Sequence, residues 1–175
     1  MMQSSPLNWR RAVIILGRLA IGAVFLFAAY SKIFLPNSLF GPLPMKMALS
    51  VNLQNFVPSV EQYKVVSPNT AVSIAHKLPF VELLLGVLLL IGWQARIWLS
   101  AASAMFLGFL SLLTWAFLKH MDIKDCGCFA SSIPEPLTGM TLLRDGIFLG
   151  FALLITYLSF IEARKPHPWT ASTNS

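Results

Sequence analysis

The sequence predicts an all-α integral membrane protein folded as a four-helix bundle, and three observations carry that reading. First, 56% of the 175 residues are hydrophobic and only 11% are charged, with a mean hydropathy of +0.69. A soluble domain of this size has too little interior to hide so much apolar surface. Second, the chain holds four apolar runs long enough to cross a hydrocarbon core, which takes about 20 residues. Third, the basic residues behind the net charge of +6 stand at the ends of those runs, where lysine and arginine anchor helices among headgroups. They form no patch interleaved with aromatics, and no nucleic-acid motif is present. Nucleic acid is therefore excluded as a partner, and the lipid bilayer is the first partner predicted.

The first run, residues 12–35, begins within "NWRRAVIILGRLAIGAVFLFAAY" and continues to Leu35. Its basic start and the small pair Ala28-Ala29 imitate a secretory signal, but the run is too long for one and Arg18 interrupts it. It reads as a transmembrane helix. The second run covers residues 71–93, with Pro79 and Glu82 inside it; the third covers 97–118 and the fourth 141–161. In lipid these runs must be helices, because only a helix or a closed barrel satisfies its own backbone groups. The "GWQAR" between runs two and three is so short that they must form an antiparallel hairpin.

The other two connections are longer and lie together at the opposite end. In the first, Met45, Ala48, Leu49, Leu53 and Phe56 recur at helical spacing. That spacing fits a short amphipathic helix on the membrane surface, and equally an irregular loop capping the bundle. The second connection, residues 119–140, carries both cysteines, and Pro134 and Pro136 stop either neighbouring helix from extending through it. The organisation predicted is a cytoplasmic N-terminus over 1–11, a transmembrane domain over 12–161 and a disordered cytoplasmic tail over 162–175.

One end of the bundle carries Arg10, Arg11, Arg96, Arg164 and Lys165; the other carries Lys32, Lys46, Lys64, Lys77, Lys119 and Lys124. The first set is denser and sits in short segments beside the membrane, where the positive-inside rule applies best. Both termini are therefore expected in the cytoplasm of a multi-pass inner-membrane protein. The cysteine loop is then periplasmic, where disulfides persist. Trp9, Trp93, Trp98, Trp115 and Trp169 read as interface anchors or packing.

The chemistry concentrates in "DCGCFA", where Cys126 and Cys128, the two cysteines of the chain, flank Gly127. Residues two apart place their Cα atoms about 5.5–7 Å apart, near the bridgeable range. Glycine permits the tight backbone such a ring requires. A bridge there would be strained and easily reduced, which suits exchange better than stapling, and closing so short a loop adds little entropic stability. Lys124 favours the thiolate while Asp122 and Asp125 oppose it. Two other readings stay open. The thiolates could join His120 or Met121 around a soft metal ion, although closed zinc sites prefer four ligands and Cys-x2-Cys spacing. The loop could also carry cysteines with no chemical task.

Charges inside a span face a partner or a cavity. The candidates are Arg18, Lys32, Glu82, Arg144 and Asp145. Counted from the ends of their own helices, Arg18 and Glu82 lie at similar depth, and Lys32 could reach Asp145 or Asp125. An ion pair fixing helix register is one reading; a polar pocket for a quinone headgroup, or a proton path, is the other. Pro79 frees a backbone carbonyl near Glu82 and so adds to the polar groups at that level. Gly17, Gly22, Gly86 and Gly92 are expected to allow close helix contact.

The stretches "GRLAIGAVFLFAAYSKI", "YKVVSP", "LPFVELLLGVLLLIGWQAR", "DCGCFA" and "LLRDGI", in that order over residues 16–160, resemble the MauE family, a branch of the DoxX-like four-helix membrane proteins. Ala130 stands where the resemblance would place glycine. The resemblance implies a role in methylamine utilisation, forming disulfides together with a periplasmic thioredoxin-like partner. It puts the exchanging pair on Cys126 and Cys128, which would make the chain a component of a thiol–disulfide oxidoreductase. By analogy with other four-helix membrane disulfide formers, electrons would leave through a quinone. Those enzymes commonly use two cysteine pairs, and this chain has one. The alternative is a non-catalytic subunit or assembly factor of a larger membrane complex.

Overall fold

A computed structural model describes residues 8–33, 53–54, 56–123, 126 and 136–164. Four helices dominate: α1 (Asn8–Ile33), α2 (Pro68–Ile91), α3 (Ala95–Leu118) and α4 (Gly139–Arg164). Each is long and apolar enough to cross a membrane, and no strand occurs among the described residues. The chain is an all-α, multi-pass membrane protein. Hydroxyls inside the spans turn back on their own helices: Ser103 bonds the Leu99 carbonyl at 2.9 Å and Thr156 that of Ala152 at 2.7 Å. This keeps polar side chains from needing water in the hydrocarbon region.

Local signals set the helix ends. Pro68 opens α2 in the first turn, where its missing N–H would have had no helical partner. Gly92 closes it at φ 82°, in the left-handed region, with its N–H on the Leu88 carbonyl at 2.9 Å. Gln94 is also left-handed, at φ 46°, so the chain reverses within a few residues and enters α3. At α4, the Thr138 hydroxyl accepts the Thr141 N–H at 3.4 Å.

Neighbours in sequence are neighbours in space, and α1 also contacts α4, closing the ring. The most extensive packing joins α1 to α2 and α3 to α4. The predicted hairpin of α2 and α3 is present, but its two helices touch less than either of those pairs. Glycine explains the α1–α2 intimacy. A methyl group on Gly86 would lie 2.8 Å from the Leu26 side chain, and one on Gly22 would lie 3.2 Å from the Gly86 carbonyl oxygen. The inner core beside this contact joins Phe25, Leu85, Leu89, Leu99, Ala102 and Ile155.

The helices are not flush, and the stagger determines the site. Arg18 of α1 lies against Gly92, and Lys32 lies against Glu82. Asn8 is ten residues before Arg18, so α1 projects about 15 Å beyond the α2–α3 turn. At its other end α1 stops level with Glu82, while α2 continues back to Pro68, about 21 Å further. Leu53, Phe56, Ser59 and Tyr63 turn inward and are buried; the residues at 56–61 form a helical turn. Phe56 lies over the Lys32 ammonium at 5.1 Å, so the connection caps the end of α1.

Three expectations are refined. The first helix begins at Asn8 rather than residue 12, because Trp9, Arg10 and Arg11 continue it past the level of the α2–α3 turn. The first connection combines the two alternatives, being helical at 53–54 and 56–61 and capping the bundle with Leu53 and Phe56 buried where α1 ends at Ile33; Met45, Ala48 and Leu49 lie outside the described residues. The fourth helix runs from Gly139 to Arg164, and the tail from residue 165 lies outside the described residues.

Candidate functional site

The cysteine connection is held at its base. The Leu137 N–H donates to the Ile123 carbonyl at 3.0 Å, joining the two ends of the loop. Cys126 is 5% exposed and belongs to an apolar cluster with Tyr63, Leu113, Ala116 and Ile123. Tyr63, itself buried, donates its hydroxyl hydrogen to the Cys126 carbonyl at 2.9 Å. Immediately after it, Lys64 takes a left-handed φ of 52°, which turns the chain towards Ser67 and the start of α2. Thus the first connection fixes the second. Cys128, Lys124 and Asp125 lie outside the described residues.

Beside Cys126 is an apolar pocket of about 150 Å³. Phe56, Val60 and Tyr63 of the first connection wall it on one side, and Phe109, Leu112 and Leu113 of α3 on another. Ile74 and Leu78 of α2 line it on a third. Phe109 also walls a smaller cavity of about 40 Å³, which Glu82 and Asp145 reach among Phe25, Phe106 and Phe148. A cavity that size has room for a few water molecules.

The polar candidates divide into separate contacts. Lys32 Nζ lies 2.6 Å from Glu82 Oε1, with side chains 0% and 3% exposed. Glu82 Oε2 has no hydrogen-bond partner among the described residues. Lys32 therefore pairs with Glu82, not with Asp145, and Asp125 is outside the described residues. Arg18 does not meet Glu82. Its guanidinium covers Gly92 at the C-terminal end of α2, where unpaired carbonyls favour a cation. The depth count failed because it took the helix ends as level, whereas α1 overshoots. Arg144 Nε meets the neighbouring Asp145 Oδ1 at 3.0 Å, and Asp145 is buried. Arg11 and Glu162 meet at 3.5 Å where α1 and α4 project together.

Of the metal candidates, His120 is exposed, and Met121 packs against the apolar cluster that holds Cys126. Among the described residues no three His, Cys, Asp or Glu side chains gather in a metal-binding group. His76 is committed to its own helix, with Nδ1 at 2.8 Å from the Val72 carbonyl oxygen. Tyr63 and Phe109 were not foreseen. Tyr63 stands in the stretch "YKVVSP", yet a lone loop tyrosine shows no periodicity that would disclose its bond.

A profile of the family described as "Methylamine utilisation protein MauE" matches residues 10–158, most of the chain. Among curated proteins, the "Methylamine utilization protein MauE" of Paracoccus denitrificans is 28% identical over 104 residues, 59% of this chain and 56% of the relative. The alignment thus spans little more than half of that relative's length. No solved structure matches.

Proposed function

This chain belongs to the MauE family of membrane proteins, and from that premise we propose that it carries out thiol–disulfide exchange with an extracytoplasmic thioredoxin-like partner, in the service of methylamine utilisation. The observation that supports this best is the construction around Cys126. Two separate connections converge on it, and the Tyr63 hydroxyl fixes its backbone.

The exchange uses both cysteines. A partner thiolate attacks the Cys126–Cys128 disulfide, a mixed disulfide forms, and a second partner thiol displaces the chain. The partner loses two electrons and two protons, and the cysteine pair gains them. Since Cys126 is 5% exposed, the encounter with the partner is assigned to Cys128 and the inward role to Cys126. The reading places the chain in an inner membrane, and the dense basic residues at 10–11, 96 and 164–165 support cytoplasmic termini with the cysteine end periplasmic.

The burial of Cys126 also favours a second reading, a non-catalytic subunit or assembly factor whose cysteine packs as a small apolar group. Trapping separates the two. With Cys126→Ser, the lone Cys128 thiolate can attack the disulfide of the oxidised partner, so exchange predicts a mixed disulfide between Cys128 and a periplasmic protein that persists when that protein's own resolving cysteine is blocked, and loss of function in either single serine variant. The assembly reading predicts no adduct and full function. Labelling of single-cysteine variants with a membrane-impermeant maleimide tests the orientation, and cytosolic placement of residue 128 would end the exchange reading.

A further inference from the structure

We propose that the small cavity between Glu82 and Asp145 binds a small alkylammonium ion, held by the two carboxylates and caged by phenyl rings. The site lies apart from the cysteine pair and does not depend on the exchange reading. All four helices supply its walls: Phe25 from α1, Glu82 from α2, Phe106 and Phe109 from α3, and Asp145 and Phe148 from α4. Three of the rings pack as a set, with the Phe25 and Phe106 centroids 5.0 Å apart and those of Phe106 and Phe148 6.2 Å apart.

The chemistry of the lining selects the ligand. Among the described residues, the charged groups that line the cavity are the two carboxylates; Lys32 and Arg144, which pair with them, stand outside the lining. Glu82 is 2% exposed, and Lys32 holds its Oε1 while Oε2 has no hydrogen-bond partner. A carboxylate oxygen buried in this way calls for an N–H or O–H donor. Calcium or magnesium would demand about six oxygen ligands, which two carboxylates among four phenyl rings do not supply. An alkylammonium matches both parts of the wall. Its N–H groups donate to carboxylate oxygens, and its charge is attracted to the faces of aromatic rings. Size sets the limit. The cavity volume is about 40 Å³, and one water takes about 10–15 Å³ on that scale, so the ligand has roughly three non-hydrogen atoms. Methylammonium and ethylammonium meet that limit. Tetramethylammonium exceeds it and has no N–H to donate.

The test uses the full chain in phosphatidylcholine nanodiscs with radiolabelled methylammonium near neutral pH. The expected result is saturable binding of one ion per chain. Ethylammonium should displace it; tetramethylammonium, and methanol as a neutral donor of similar size, should not. Phe106→Leu keeps an apolar side chain and removes the ring, and should weaken binding by about threefold or more. Glu82→Gln combined with Lys32→Met removes the carboxylate without leaving an unbalanced lysine, and should weaken binding by about tenfold or more. Circular dichroism checks that each variant is folded, with Phe109→Leu and Asp145→Asn in reserve for one that is not. Absence of saturable binding to the parent chain would overturn the site. So would displacement by methanol as strong as by ethylammonium, or parental affinity in a folded ring or carboxylate variant.

Discussion

Lys32 and Glu82 form an ion pair, Nζ to Oε1 at 2.6 Å, near mid-height in the bundle and shielded from solvent. The pair stands where α1 ends, and Phe56 covers it from above. Removing one partner leaves a charge with nothing to balance it, at a cost of about 3–5 kcal/mol. Lys32→Met and Glu82→Leu should each lower stability by about that much. The double variant should recover most of the loss, because an apolar pair of similar volume avoids the desolvation penalty. Unfolding in mixed detergent micelles checks this; additive losses would show that the two side chains do not act as a pair.

The four spans were legible because span length is a property of local sequence. A run such as 97–118 announces itself whatever surrounds it, and α3 indeed occupies Ala95–Leu118. The partner of Glu82 was not legible. It depends on how far α1 slides along α2, and that slide is fixed by Gly22 against Gly86 and by Arg18 against Gly92. The glycines were visible as small residues, but the register they set was not. Likewise, Leu53 and Phe56 showed helical spacing, yet their inward direction follows from the early end of α1. The cysteine loop was found by its composition; Tyr63 was missed because its partner is 63 residues away.

The α1–α2 register is itself open to test. A methyl group at Gly86 would press on Leu26 Cγ and Cδ2 at 2.8 Å and on the Leu26 backbone nitrogen at 3.0 Å. Gly86→Ala should destabilise by about 1–3 kcal/mol, the usual range for overpacking. Adding Leu26→Ala removes the side-chain clash but not the backbone one, so the second substitution should cost less in the alanine background than in the parent. Equal costs in both backgrounds would place Leu26 elsewhere.

Gly92 makes a second, sharper case. Its φ of 82° is left-handed, and the Arg18 guanidinium occupies the space a side chain would need. Gly92→Ala should cost about 1–2 kcal/mol from backbone strain alone, with a further steric loss that Arg18→Ala relieves. Thermal unfolding of the two single variants and the double variant would separate the contributions. A neutral Gly92→Ala would mean that the α2–α3 reversal is built differently.

The Tyr63 hydroxyl ties the first connection to the cysteine loop, so its removal should be felt at Cys126. Tyr63→Phe keeps the ring in its cluster with Leu113 and Ala116 and deletes only the donor. A buried hydrogen bond of this kind contributes about 1 kcal/mol, which corresponds to roughly a fivefold rise in the open population of the loop. Cys126 in a Cys128→Ser background should therefore react with N-ethylmaleimide about five times faster when Tyr63 is Phe, with global stability lowered by no more than the same amount. The comparison separates local from global loosening: Tyr63→Leu, which also removes the ring, should lower the unfolding midpoint as well as speed the alkylation. An unchanged alkylation rate in Tyr63→Phe would show that the loop is held at Cys126 by something other than this bond.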